Sequence, residues 1–252
     1  MSEIINIHIN QKVGCLEFGS SKANALTQTL LGKISEALLA LDQNPEVHVI
    51  LMKSYGEKIF CAGASLMELA QITTLRDAID FFQSFADLLN RFRELTKFIV
   101  LQVQGKVLGG GLGIVAASDY VIACQSASIK LSELSIGIGP YVIAPAIQRK
   151  IGLSALNQLS IEAHQYKSAK WASDKGLYHV LVEPPELLET KSIELTKKLA
   201  TYSPQATKSL RKLHWNDTQN WNSLLQSHAE MTARLALEEP TQKILKSWKK
   251  SE

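Results

Sequence analysis

A chain of 252 residues, 46% hydrophobic and 20% charged, has the length for one sizeable core and the composition of a folded globular protein, not an extended disordered one. Its net charge of +3 is small and evenly spread, which argues against a nucleic-acid or membrane surface. No apolar run approaches the ~18 residues of a membrane span. Met1-Ser2-Glu3 leads into an alternating segment with no basic leader, so the expected compartment is cytoplasmic. Cys15, Cys61 and Cys124 lack CxxC spacing and read as reduced, buried small hydrophobes. The six histidines are scattered singly, and no metal site is expected.

In chain order, Ile4 to Ile9 and Val13 to Phe18 alternate apolar and polar around Asn10-Gln11-Lys12, which predicts a hairpin. Leu26 to Leu41 carries apolar residues at helical spacing and stops before Asn44-Pro45. Val47 to Met52 is a continuous apolar run, predicting a strand covered on both faces. A glycine-bearing loop follows, then helices from about Leu66 to Leu95. Phe98 to Val103 is a second buried strand, leading through a glycine cluster into the helix Leu112 to Ala117 and the strand Tyr120 to Ala123. The order strand, glycine loop, helix thus recurs, which predicts parallel strands covered by helices. From Glu186 the pattern is purely helical: Leu187 to Ala200, Pro204 to Leu213, Trp221 to Leu237 and Thr241 to Trp248. Ser203-Pro204 and Glu239-Pro240 place proline at helix starts. A boundary near 190 divides an α/β core (1–190) from a helical region (191–252).

Two loops carry the candidate chemistry. Lys58 to Leu66 is a strand-to-helix turn of small residues (Ala62, Gly63, Ala64, Ser65), and Val107-Leu108-Gly109-Gly110-Gly111-Leu112-Gly113 leaves a buried strand to open a helix. Small residues at such junctions let a ligand approach the main chain and leave N–H groups free at the positive end of the helix. Donors of that kind suit an oxygen that gains negative charge during reaction. A competing reading is the dinucleotide fingerprint G-x-G-x-x-A at Gly111 to Ala116 with Glu133 beyond it. It would make the protein an NAD(P)-dependent oxidoreductase. Against it, the fingerprint normally follows the first strand of its own unit, whereas here about 100 residues precede it.

Five ordered motifs resemble the crotonase (enoyl-CoA hydratase/isomerase) superfamily: Asn24-Ala25-Leu26, Phe60 to Ala64, Val107 to Gly111 with Asp119 after the helix, Ser132-Glu133-Leu134, and Gly137 to Pro140. The resemblance spans essentially the whole chain. It implies a spiral of repeated ββα units, with C-terminal helices that form trimers or hexamers. It implies an acyl-CoA thioester as substrate, with coenzyme A arriving on the substrate and no separate cofactor. The N–H groups of Ala64 and Gly110 would hold the thioester oxygen. Lys22, Ala23 and the stretch Lys58 to Leu66 would lie along the CoA arm, with Gly109, Gly111, Ser132 and Tyr141 around the pocket.

Of the family's two catalytic glutamates, one falls on Glu133 and the other on Gly113, which has no side chain. Hydration uses both carboxylates; moving a double bond between β,γ and α,β positions needs one, which takes a proton from C2 and returns it to C4. Ser128 to Glu133 and Arg149 to Ser154 are similar to branched-chain hydratases of the methylglutaconyl-CoA type, so hydration of a short or branched 2-enoyl-CoA is the first expectation and Δ3,Δ2 isomerisation its alternative. A non-catalytic, RNA-binding relative is the remaining class. For assembly, the C-terminal region offers Trp215, Trp221, Leu224, Leu225, Met231, Leu235 and Leu237, more apolar surface than those helices need alone.

Overall fold

The structure, a computed structural model, describes residues 3–248; the Met1-Ser2 start read above lies outside them. The hairpin forms as expected, with β1 (Glu3–Asn10) antiparallel to β2 (Val13–Ser20). Gln11 and Lys12 both take positive φ, 49° and 66°, which matches the twist of a two-residue hairpin. In contrast to the alternation read there, β2 is buried on both faces, because it sits between β1 and a parallel neighbour with helices on each side.

Thr27 caps α1 (Gln28–Gln43), whose Leu30, Leu31, Ile34, Leu38 and Leu41 are buried at the predicted spacing. Next come β3 (Val49–Ser54), β4 (Ile59–Cys61), α2 (Leu66–Leu69) and α3 (Leu75–Glu94). The helical stretch read over 66–95 is thus broken at 70–74, where the Thr74 hydroxyl accepts from Asp77 N and starts a new helix. β5 (Phe98–Val103), β6 (Lys106–Leu108), α4 (Gly110–Ala117), β7 (Tyr120–Cys124) and β8 (Ser128–Lys130) follow, then a 3-10 turn at Glu133–Ile136 and α5 (Ala144–Ile161). β9 (Lys167–Ser168), α6 (Ala169–Asp174) and β10 (Val180–Val182) lead to α7 (Leu187–Leu199), α8 (Pro204–His214), α9 (Trp221–Ala236) and α10 (Glu239–Trp248).

Two sheets result. The larger runs β1-β2-β3-β5-β7-β10 and is parallel beyond the hairpin; the smaller runs β4-β6-β8-β9 and is parallel except at its β9 edge. Strand, strand, helix recurs from β1 to α5, and from β3 to β8 each unit gives its first strand to the large sheet and its second to the small one, while β9 and β10 join the two sheets in the opposite order. This is a spiral of ββα units. The small sheet was not read in the sequence, because strands of two or three residues are too short to show a period.

The C-terminal helices pack on their own chain. Trp215 and Trp221 meet edge to face with centroids 5.6 Å apart, and both are buried with Leu225 in the main core. Much of the apolar surface expected to serve assembly is therefore consumed internally, with Met231 the exposed large hydrophobe of that set. Asp119 anchors α8: its Oδ2 accepts from Ile99 N at 2.8 Å and from Arg211 Nε at 2.9 Å, while the buried Arg211 also donates to the carbonyls of Phe92 and Leu95.

Candidate active site

Parallel pairing gathers the site. Ile59 pairs with Lys106 and Cys61 with Val107, so β4 and β6 end at the same sheet edge and their outgoing loops lie side by side. Val107 pairs with Ile129 and Leu108 with Lys130, so the turn bearing Glu133 leaves from that edge too. Three loops at the carboxyl ends of three parallel strands surround one cavity of about 240 Å³.

Glycine lets the loops meet. A Cβ at Gly63 would stand 2.9 Å from Leu108 O and 3.3 Å from Gly110 N, and the residue's φ of +83° disfavours any side chain. Gly109 takes φ 47° at the start of α4, and a Cβ there would lie 3.1 Å from Glu133 Oε1. Ala64 pairs with Leu26 in an isolated bridge whose hydrogen bonds run from Leu26 N to Gly63 O and from Ser65 N to Leu26 O. The N–H of Ala64 takes no part in it. Gly110 opens α4, where its N–H has no helical acceptor. Among the described residues neither N–H is bonded. Asn24 fixes the approach to β4: its side-chain amide donates to Tyr55 O at 2.7 Å and Ile59 O at 2.9 Å.

Glu133 projects into the cavity with Oε2 shielded from solvent and without a hydrogen-bond partner. Burial disfavours its charged form and pushes the pKa up to about 7, against weaker lowering by backbone N–H donors at Glu133 and Ser132. On Gly113 the packing is equally informative. A Cβ there would meet Ile143 Cγ2 at 2.6 Å, with Leu89 at 3.6 Å. Where the resembled family carries a second carboxylate, this chain places the Ile143 hydrocarbon.

Of the residues singled out in the sequence, Ala62, Gly63, Ala64 and Leu66 line the cavity, as do Gly109, Gly110, Ser132 and Glu133. Lys22, Ala23 and Lys58 lie on the surface outside that lining. Ser65 is buried and spends its hydroxyl capping α2 at Glu68 N. Gly111 and Gly113 pack beneath, against Cys61 and Ile143, and Tyr141 is not in the lining, although Pro140 and Val142 beside it are. The dinucleotide reading is corrected by the same packing, since Gly111 to Ala116 lies buried inside α4 and presents no phosphate-binding turn. Sequence reasoning missed Leu69, Phe82, Phe85, Ile143, His164 and Thr232, all of which line the cavity. Their helical spacing marks Phe82 and Phe85 as apolar-face residues, but period alone does not separate core from pocket wall.

Cys15, Cys61 and Cys124 are free and buried as expected, and burial raises the Cys61 thiol to about 12. Among the described residues no group of His, Cys, Asp or Glu could hold a metal, and no helix is long and apolar enough to cross a membrane.

Known proteins agree with this fold. The family model for enoyl-CoA hydratase/isomerase matches residues 8–248. A short-chain-enoyl-CoA hydratase of Clostridium acetobutylicum is 29% identical over 199 residues, covering 78% of this chain and 75% of that protein. A carnitinyl-CoA dehydratase of Salmonella arizonae is 28% identical over 222 residues, covering 84% and 80%. The crystal structure of enoyl-CoA hydratase from Bacillus halodurans superposes with a TM-score of 0.89 at 20% identity, over 96% of this chain and 99% of that one, a likeness of fold. With the family model matched over residues 8–248 and the whole spiral superposed, the chain belongs to the enoyl-CoA hydratase/isomerase family.

Proposed function

We propose that the protein moves the double bond of an unsaturated acyl-CoA between the β,γ and α,β positions, with Glu133 as its one acid/base. The observation that carries this reading is the pairing of a carboxyl at Glu133, with one buried and unpartnered oxygen, and hydrocarbon at the Gly113–Ile143 contact. Glu133 takes the C2 proton of a β,γ-enoyl thioester. The C2–H electron pair moves into the C1–C2 bond, and the thioester oxygen becomes an oxyanion facing the N–H groups of Ala64 and Gly110. The same carboxyl then delivers the proton to C4 as C2=C3 forms and the C1=O double bond returns. Atoms and charge balance without an added reactant.

Two free N–H donors suit that oxyanion, since removing one such donor typically costs about 10²–10³ in rate. The CoA arm would run from the cavity over Lys22, Ala23 and Lys58, all exposed at its side of the molecule. Hydration, the activity named for the Clostridium relative, is the competing reading; it needs a group to activate water in place of the absent second carboxylate. The deciding experiment incubates the protein with 3-hexenoyl-CoA and crotonyl-CoA in deuterated water. Double-bond migration in the first, with solvent deuterium that enters the product found at C4, and little water addition to the second, is the expected outcome. Rapid hydration of crotonyl-CoA would overturn the single-carboxylate reading.

A further inference from the structure

The acyl group itself is legible in the cavity walls, and this step rests on the acyl-thioester reading above. The buried part of the lining is hydrocarbon: Leu69, Phe82 and Phe85 from α2 and α3, and Ile138, Val142 and Ile143 from the segment after the Glu133 turn. Among the described residues the basic groups in the lining are Lys130 and His164. Both belong to its solvent side: His164 is exposed, and the Lys130 ammonium sits 4.7 Å from the ring of the exposed Tyr166. Among the described residues no cation lines the buried walls. There is already one carboxyl with an unpartnered oxygen, at Glu133.

A substrate carboxylate entering that interior would lose its water with no cation to replace it, and would stand close to Glu133, which must itself be ionised to act as a base. Both effects disfavour it, because an unpaired charge is costly to bury and like charges in one dry site oppose each other's ionisation. A hydrocarbon chain meets neither penalty and gains from every buried methylene. We propose that this cavity selects a neutral hydrocarbon acyl group and rejects acyl groups that end in a carboxylate, with Phe82 as the wall residue that limits chain length. Phe82 is buried in that wall, its ring edge to face with Phe81 at 5.2 Å between centroids.

The test uses the wild-type protein and saturated thioesters that cannot isomerise: valeryl-CoA, its carboxylated counterpart glutaryl-CoA, and octanoyl-CoA, each titrated calorimetrically. Glutaryl-CoA should bind at least about tenfold more weakly than valeryl-CoA, and equal or tighter binding overturns the proposal. In Phe82→Ala the preference for octanoyl- over valeryl-CoA should rise by about tenfold, the gain of two methylenes finding room at roughly fourfold each. Phe82→Leu should give a smaller shift in the same direction, and serves if the alanine variant fails to fold. An unchanged ratio in a folded variant removes Phe82 from this role. If valeryl- and octanoyl-CoA bind but the double bond of 3-hexenoyl-CoA does not move, the isomerase chemistry falls and the selectivity stands. If none of the three binds, the thioester reading fails and the selectivity proposal falls with it.

Discussion

Glu133 is held in a site too dry for an ordinary carboxylate, and that sets two measurable pH effects. Its folded pKa is raised from 4.5 to about 7, so the basic form is a small fraction below pH 6 and the majority only above neutrality. Proton abstraction at C2 should therefore climb between about pH 5.5 and 7 and level off near pH 8. Glu133→Gln, which cannot accept the proton, should lose ~10²–10⁴ of that rate; unchanged exchange of the C2 proton in the variant would show that another group is the base. For stability the sign is opposite. Between pH 4.5 and 7 the folded state keeps a proton that the unfolded state has lost, so this group's contribution falls as pH rises through that window. Glutamine carries no charge at any pH, and the Tm of Glu133→Gln relative to wild type should increase from pH 4 to pH 8. At Ala64, proline would delete a candidate oxyanion donor while sparing the bridge hydrogen bonds of Gly63 O and Ser65 N. Turnover in a folded Ala64→Pro should drop about a hundredfold or more, with CoA affinity nearly kept. The matching change at Gly110 is less clean, because any Cβ there meets Phe85 at 2.6 Å.

At the scale of elements, helix α4 decides which chemistry the cavity can host. Its residue 113 faces Ile143 so closely that Gly113→Glu alone must push Ile143 aside, whatever helix propensity gains by losing a glycine. That single variant should be destabilised, whereas Gly113→Glu with Ile143→Ala loses the 2.6 Å contact and keeps only the 3.0 Å one to the Cβ of residue 143, which a shift of a few tenths of an ångström relieves. The double variant should add water to crotonyl-CoA measurably faster than wild type; if it does not, the missing carboxylate is not what separates this chain from hydration. The sequence made the α4 glycines and Glu133 visible, because both sit in residue patterns with a chemical reason to exist. It also made the long helices and buried strands visible through their periods. The Ile143 contact was not legible: it joins residues thirty apart, through the hand-over of strands between two sheets. The small sheet that gathers the three loops was equally hidden, since β4, β6 and β8 are three residues each and register between them is a tertiary fact.

For the molecule as a whole, α9 connects the helical end of the chain to the cavity. It packs along α3 and contributes Thr232 to the lining, so the C-terminal region completes the cavity of its own chain. Removing the chain from about residue 200 would also delete Arg211 and leave the Asp119 carboxylate without its cation, a loss of ~3–5 kcal/mol for a buried pair broken on one side. Such a truncation should not fold, and so says nothing about assembly. A sharper probe lies on α8, where Leu210 and Leu213 stand three residues apart on one face, 44% and 65% exposed. The family resemblance implies a trimer or hexamer, and an assembled chain has a use for such a face. Light scattering of the full-length protein should give three or six times the 27.8 kDa of one chain. Leu210→Glu with Leu213→Glu should lower that mass while circular dichroism stays native, because both side chains point away from the chain's own core. A full-length protein that runs as a stable monomer would end the assembly expectation, and a double variant of unchanged mass would move the interface off α8.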